Sequence, residues 1–194
     1  AGINCNEETS YAFELAGARA TQVHVNRLLE RPALLDDYGL LAVPGGFSYG
    51  DDIAAGRVLA VELRHALGEI LQRFVDRRGL VLGICNGFQV LVNSGLLPGK
   101  TPEGRQIRAT LHGNDSDRYE DRWVHLAVDR ERCLFAPTDG GILEFPVAHA
   151  EGRFTVADPA EIDALLAAHQ AVFRYVDRDG GPPSYPANPN GSMG

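Results

Sequence analysis

The first half of the chain alternates between amphipathic stretches and short runs that are apolar throughout. Apolar side chains at helical spacing predict helices at residues 7–17, 56–78 and 86–95. Runs without a polar face predict strands buried on both faces at residues 39–43 and 79–84. A further strand is predicted at residues 20–25, which read ATQVHV. This alternation is typical of a parallel sheet with helices on both faces, in which ligands bind beyond the carboxyl ends of the strands.

After residue 97 the pattern changes to short strands with partial alternation, interrupted by Asp, Gly and Pro. Such strands are predicted at residues 107–113, 121–129 and 143–149. A helix at residues 159–170 and a strand at residues 171–177 follow, and the remaining tail, rich in Gly, Pro and Asn, predicts a loop. The whole pattern predicts an α/β fold with a mainly parallel central sheet flanked by helices and a partly antiparallel extension.

Composition and charge narrow the choice of ligands. The 194 residues, 44% of them hydrophobic, suit one globular domain. With 18 Lys and Arg against 26 Asp and Glu, the net charge of −8 gives no electrostatic basis for binding nucleic acid or an anionic membrane. No apolar run approaches the roughly 18 residues of a membrane span, and the amino end lacks the order of a signal peptide. We expect a cytoplasmic protein that binds a small polar molecule or a protein partner.

The cysteines give the first candidate for chemistry. Cys5, Cys85 and Cys133 are too few and too scattered for a disulfide framework, and no pair has the spacing of a zinc site, so no metal is expected. Cys85 lies in GICNG, residues 83–87, between a predicted buried strand and a helix. This is the spacing of a nucleophile elbow, whose glycines permit a sharp turn. Cys85 is therefore either the nucleophile of an elbow, beside the positive end of the following helix, or an ordinary buried cysteine.

A second glycine-rich loop, PGGFSYGDD at residues 44–52, follows the preceding buried strand. In a parallel sheet this loop lies at the same edge as Cys85, and paired glycines let backbone N–H groups approach a ligand closely. The N–H groups of Gly46 and Asn86 are therefore predicted to form an oxyanion hole. The alternative interpretation is a simple glycine turn that joins a strand to a helix.

A thiol nucleophile usually needs a base and a group that orients the base. His149, two residues before Glu151, is either that base or part of the scaffold or substrate wall. Gly99-Lys100-Thr101 resembles the end of a phosphate-binding loop, but Ser94 stands where such a loop requires glycine. We therefore expect no ATP binding by this chain.

Five segments of this sequence resemble a known family when they are taken together: PGGFSYGDD, GICNGFQVL, NDS with EDRWVHL, FPVAHAEGRF and NPNGS. They are similar to class I glutamine amidotransferases, and among these to the glutaminase subunit of phosphoribosylformylglycinamidine synthase, in the family's order from residue 2 to residue 194. The resemblance implies that Cys85 attacks the carboxamide of glutamine, forms a γ-glutamyl thioester and releases ammonia. The residues that it implies for the glutamine site are Gly45, Gly46, Gln89, His149 and Glu151.

The resemblance also implies a place in purine biosynthesis and partners outside this chain. The ammonia would pass to a larger synthetase subunit that uses ATP and Mg²⁺ to convert formylglycinamide ribonucleotide to its amidine. A small bridging subunit is a further candidate partner. This chain itself is expected to hold no cofactor.

The sequence departs from the family pattern at three places. Ala150 stands where the family generally has glycine. The family has a strand before G-x-N-C, which would precede Ala1; without it, we expect the strands at residues 20–25 or 39–43 to have an unpaired edge. The family's His-Pro-Glu segment, which supplies the base and its orienting carboxylate, would follow Gly194.

We therefore expect a single amidotransferase domain over residues 1–194, truncated at both ends, in which His149 aligns with a motif other than the triad. The alternative is a catalytically inactive amidotransferase-like domain that serves as a binding or structural partner of a synthetase. The intact GICNGFQ and PGGFSYGD segments favour the active enzyme.

Overall fold

The computed structural model describes residues 3–48, 56–101, 104–138 and 141–192. The chain forms two compact units, Ala1–Leu97 and Pro98–Gly194. The single domain expected over residues 1–194 stays a prediction.

The first unit places helices around a parallel pair of strands. Its strands are β1 (Leu40–Val43) and β2 (Leu80–Gly83), paired in register from Leu40 opposite Leu80 to Val43 opposite Gly83. A short 3₁₀ helix, Pro32–Asp37, precedes β1. The α-helices are α1 (Asn6–Leu15), α2 (Val25–Glu30), α3 (Arg57–Asp76) and α4 (Asn86–Ser94). The predicted helices at residues 7–17, 56–78 and 86–95 are thus confirmed, with ends that differ by one or two residues.

Helix α3 supplies most of the core of this unit. Its buried side chains recur every three or four residues and so form one apolar stripe, while Arg64, Glu69 and Gln72 between them are exposed. Burying one leucine or phenylalanine side chain stabilises a fold by about 1.5–3 kcal/mol. The stripe packs with α4 and β1, and the buried cluster contains Val43, Leu59, Leu63, Leu67, Leu71, Phe74, Val90 and Leu91.

The predicted strand at residues 20–25 is wrong. Residues 20–24 lie in no helix or strand, and α2 begins at Val25. A strand needs a neighbour that satisfies its backbone hydrogen-bonding groups, and no strand of the described residues pairs with this segment. Val23 is consequently exposed.

Strand β1 has one open edge. On the side of β2, the carbonyls of Gly39, just before β1, and Val43, at its end, accept hydrogen bonds from the N–H groups of Leu80 (2.9 Å) and Ile84 (3.0 Å). No other strand in the described part of the chain pairs with β1. A groove of about 680 Å³ separates β1 from the 18–25 segment, and both line it. Among the described residues, the edge of β1 away from β2 therefore has no partner strand, as predicted for residues 39–43.

The second unit is built from antiparallel strands, as the sequence predicts for this half. One sheet pairs β3 (Ala109–His112) with β6 (Arg153–Val156). The other has the order β5 (Ile142–His149), β4 (Glu120–Val128), β7 (Phe173–Val176). Helix α5 (Ala160–Ala167) lies between β6 and β7 in the chain. No strand is predicted from the sequence at β6, which is only four residues long and follows a glycine-containing turn.

The described residues form an α/β architecture with small sheets, one parallel and two antiparallel. The described helices include none with the length and apolar character that crossing a membrane requires.

Candidate active site

Cys85 occupies a sharp turn between β2 and α4. Its backbone has φ 52° and ψ −113°, and its side chain is exposed. A positive φ is uncommon for a residue with a side chain, and such strain concentrates at functional sites. The carbonyl of Cys85 accepts from the N–H groups of Phe88 (2.9 Å) and Gln89 (3.2 Å), so helix α4 starts directly at this residue. The turn thus presents a thiol at the amino end of a helix.

The two glycines that flank Cys85 have no room for a side chain. A Cβ on Gly83 would lie 2.6 Å from Leu91 Cδ1 and 2.8 Å from the Gly87 carbonyl oxygen. A Cβ on Gly87 would lie 1.9 Å from the carbonyl oxygen of Val43 in β1. Helix α4 can therefore start this close to the sheet only if both positions are glycine, which is the steric basis of the G-x-C-x-G pattern.

The second glycine loop lies beside Cys85. A Cβ on buried Gly45 would be 3.3 Å from the Cβ of Cys85, and Gly46 has φ +121°. The N–H of Ser48 donates to Oδ1 of Asn86 over 3.2 Å, which ties this loop to the start of α4. The structure therefore brings Gly45, Gly46 and Asn86 to the same end of β1 and β2 as Cys85. An oxyanion hole formed by the N–H groups of Gly46 and Asn86 stays a prediction, and residues 49–52 of the loop motif lie outside the described residues.

Gln89 lies one helical turn after Cys85 and is half-buried. Its Oε1 accepts from Nδ2 of Asn86 over 3.1 Å, and Asn86 itself is 1% exposed. The Asn86 side chain therefore bridges the glycine loop and Gln89 through its two polar atoms.

The residues did not predict that Asn4 and Cys5 lie beside the glycine loop. A Cβ on Gly46 would lie 2.1 Å from Oδ1 of Asn4, and the N–H of Cys5 donates to the carbonyl of Gly45 over 3.3 Å. These two residues therefore pack directly on the glycine pair. The only signal for them in the sequence is their place in the G-x-N-C segment just before α1.

In the second unit, His149 ends β5 and is held by buried Asn114. Nδ2 of Asn114 donates to the carbonyls of Arg118 (2.7 Å) and His149 (2.8 Å), and its Oδ1 accepts from the N–H of Gly152 (3.2 Å). The same Oδ1 lies 3.0 Å from Nδ1 of His149. Because this oxygen can only accept, Nδ1 carries the proton in the neutral ring, and Nε2 holds the lone pair.

Asn190, from the NPNGS segment, completes the cluster around His149. Its Nδ2 donates to the Gly152 carbonyl (2.9 Å) and to the Tyr175 hydroxyl (3.0 Å), and lies 3.5 Å from His149 Nε2. Three segments that the family resemblance singled out are thus joined by Asn114, His149 and Asn190, which we call the asparagine–histidine cluster. No role is predicted from the sequence for either asparagine.

The surroundings of His149 favour its neutral form. Burial lowers the pKa of the imidazole below its ordinary value of 6.5, and the Glu120 carboxylate opposes that shift in part. Glu120 stands opposite His149 in the sheet and forms an ion pair with Arg122. Glu151 lies in the turn between β5 and β6 and is half-buried. The placement of His149 and Glu151 against glutamine stays a prediction.

Comparison with known proteins gives a family for the whole chain. The family model described as a CobB/CobQ-like glutamine amidotransferase domain matches residues 1–194. Phosphoribosylformylglycinamidine synthase subunit PurQ of Dehalococcoides mccartyi is 49% identical over 99% of this chain and 73% of its own length. The subunit of the same name in Methanococcus maripaludis is 43% identical over 98% of this chain and 70% of its own length.

A solved structure is similar as well. A chain of the structure described as PurLQS from Thermotoga maritima superposes with a TM-score of 0.64 at 32% sequence identity. The match covers 81% of this chain and 66% of that one. The chain thus spans about two thirds to three quarters of the length of these relatives.

Proposed function

This chain belongs to the CobB/CobQ-like glutamine amidotransferase family, and from this premise we propose that it hydrolyses glutamine to supply ammonia for phosphoribosylformylglycinamidine synthase. In that reaction the ammonia converts formylglycinamide ribonucleotide to formylglycinamidine ribonucleotide in purine biosynthesis. The names of the relatives support this assignment at 43–49% identity over nearly the whole chain.

The single observation that carries the proposal is the geometry of the Cys85 elbow. An exposed thiol stands on a strained turn, and glycines that admit no Cβ hold the turn against β1 and α4. A buried structural cysteine needs neither exposure nor a positive φ. The exposure and backbone geometry of Cys85 therefore support the nucleophile interpretation over the ordinary-cysteine alternative.

In the proposed reaction the Cys85 sulfur attacks the side-chain amide carbon of glutamine. The carbonyl oxygen takes the negative charge of the tetrahedral intermediate, and the N–H groups of Gly46 and Asn86 stabilise it. The C–N bond then breaks, the amide nitrogen takes up the proton that the thiol gave up and leaves as ammonia, and a γ-glutamyl thioester remains on Cys85. Water attacks this thioester, and glutamate leaves with the thiol restored.

The glutamine site in this proposal includes Gly45, Gln89, His149 and Glu151. Gly45 lies beside Cys85, and Gln89 lies one helical turn after it. These positions support the assignment of both residues to the glutamine site. His149 and Glu151 rest on the family resemblance alone. We assign these two residues to glutamine binding and not to the catalytic base and its orienting carboxylate.

The partner in this proposal is a larger synthetase subunit that carries the ATP- and Mg²⁺-dependent step, with a small bridging subunit as a second partner. The similarity to a chain of PurLQS supports an assembly of this kind. The same similarity supports the finer fold assignment to the class I amidotransferases, which we include in the proposal.

The test uses the assembled synthase with Cys85→Ala. We expect it to lose glutamine-dependent synthesis while it keeps synthesis from added ammonia, because the ATP-dependent chemistry lies elsewhere. Cys133→Ala is the matched control and should retain both activities. Loss of both activities in Cys85→Ala would show that the residue is structural. Absence of glutamine-dependent synthesis in an unmodified chain that continues through the family's His-Pro-Glu segment would favour the inactive-domain alternative.

A further inference from the structure

A second thiol lies next to Cys85. A Cβ placed on Gly45 would be 3.3 Å from the Cβ of Cys85 and 4.0 Å from the Cβ of Cys5. Both distances are measured from the same point, so the Cβ atoms of Cys5 and Cys85 can be no farther apart than the sum of the two. Because Gly45 has no side chain, the space next to the Cβ atoms of both cysteines is free of a Gly45 Cβ.

The backbone of Cys5 is anchored at this position. Its N–H donates to the carbonyl of Gly45 (3.3 Å), and its carbonyl accepts from the N–H (3.2 Å) and the hydroxyl (2.6 Å) of Thr9. Its thiol donates only a long hydrogen bond, 3.8 Å, to Oδ1 of the neighbouring Asn4. The main chain therefore keeps Cys5 at the site while its side chain is held only weakly.

A disulfide requires Cβ atoms about 3.5–4.5 Å apart. Rotation about the Cα–Cβ bond of Cys5 turns its sulfur toward Cys85, and a movement of residues 3–5, which belong to no helix or strand, brings the two Cβ atoms into this range. The exposed position of Cys85 gives a small oxidant access to its sulfur.

We propose that Cys5 and Cys85 form a peroxide-sensitive pair in which Cys85 is oxidised first and Cys5 resolves it. Hydrogen peroxide transfers one oxygen to the Cys85 sulfur, which gives a sulfenic acid, and its other oxygen leaves as water. The Cys5 sulfur then attacks the Cys85 sulfur, so the S–S bond forms and the S–O bond breaks. The released hydroxide takes up the thiol proton as water, and two electrons have passed from the thiols to peroxide.

This disulfide masks the thiol of Cys85 reversibly and protects it from irreversible oxidation to the sulfinic acid. The loss of glutamine hydrolysis that the disulfide would cause rests on the proposed function, whereas formation of the disulfide itself does not. An experiment can therefore refute the disulfide without refuting the glutaminase activity, and the reverse.

The test is peptide mapping of the native chain after brief exposure to hydrogen peroxide and alkylation of the remaining thiols. Trypsin places the three cysteines in separate peptides, Cys5 in residues 1–19, Cys85 in 79–100 and Cys133 in 133–153. We expect peptides 1–19 and 79–100 to be joined within a chain of monomer mass and to separate after treatment with dithiothreitol. Cys133 should be recovered as an alkylated thiol. Conversion of Cys85 to sulfinic acid without the joined peptide would overturn the proposal, and so would joining that involves Cys133 equally.

The matched variants are Cys5→Ser and Cys133→Ser. In Cys5→Ser we expect Cys85 to pass to the sulfinic acid, with a several-fold lower recovery of reducible Cys85 than in the unmodified chain. Cys133→Ser should behave like the unmodified chain. Equal recovery of reducible Cys85 in the two variants would contradict a resolving role for Cys5, and the map of the unmodified chain decides the matter if Cys5→Ser does not fold.

Discussion

The two units hold their candidate functional residues by different means. In residues 1–97 the backbone alone fixes Cys85, because Gly83 and Gly87 leave no space for a Cβ and φ of Cys85 is 52°. In residues 98–194, His149 is positioned by the side chains of Asn114 and Asn190, which come from distant parts of the sequence. A Cβ that clashes with a backbone atom can be accommodated only if the backbone itself moves. In a hydrogen-bonded cluster, by contrast, one substitution removes some of the hydrogen bonds and leaves the others in place. A side chain added at the elbow glycines should therefore destabilise the fold more than the loss of one side chain from the asparagine–histidine cluster.

The largest effect is expected for Gly87→Ala. The new Cβ would meet the Val43 carbonyl oxygen at 1.9 Å, a backbone atom in β1 that cannot turn aside. We expect the free energy of unfolding to fall by about 3 kcal/mol or more, with loss of the Cys85 geometry. Urea unfolding followed by far-UV circular dichroism measures this loss.

Gly68→Ala is the control for Gly87→Ala. Gly68 lies inside α3, and a Cβ there meets nothing within 4 Å. Alanine has the higher helix propensity, so this variant should gain about 0.5–1 kcal/mol. A loss of similar size in both variants would mean that the elbow is not sterically fixed.

A smaller effect is expected for Asn114→Ala in the second unit. The change leaves the carbonyls of Arg118 and His149 and the N–H of Gly152 without their partner. We expect a loss of about 2–3 kcal/mol, read from the fluorescence of Trp123, the only tryptophan of the chain. Asn26→Ala, on the exposed surface of α2, should change stability by less than about 0.5 kcal/mol. An Asn114→Ala variant as stable as Asn26→Ala would show that the cluster does not support this unit.

The smallest effect is a pH dependence that comes from His149. The folded chain resists its protonation because burial lowers its pKa, whereas the unfolded chain takes up the proton near 6.5. The free energy of unfolding should therefore decrease as the pH falls from 7.5 to 5.5. His149→Gln should remove part of this decrease when both proteins are unfolded by urea at the two pH values. An identical pH dependence in the variant would rule out this role for His149.

The elbow could be predicted from sequence because its constraints are local. Gly83, Cys85 and Gly87 stand within five residues, and the glycine pattern follows directly from the turn that they form. The helix at residues 57–76 was equally accessible, since its buried stripe repeats within a single segment.

The features that could not be predicted from the sequence have one physical cause in common. Each of them depends on contacts with distant parts of the chain. Residues 20–25 have the composition of a strand, but the described residues provide no neighbour that pairs with them. Asn114 lies 35 residues before His149 in the sequence, and Asn190 lies 41 residues after it. No local sequence pattern therefore predicts that these side chains are in contact. The G-x-N-C segment likewise gave no indication that Asn4 and Cys5 pack on Gly45 and Gly46.

The central claim, that Cys85 is the nucleophile, is tested most directly by labelling the native chain with a diazo-ketone analogue of glutamine. Tryptic mapping then measures how fast each of the peptides 1–19, 79–100 and 133–153 gains the label. Only Cys85 combines an exposed thiol with the strained turn at the start of α4, so the label should appear first and almost entirely in residues 79–100. Comparable labelling of Cys5 or Cys133 at the same rate would contradict the account.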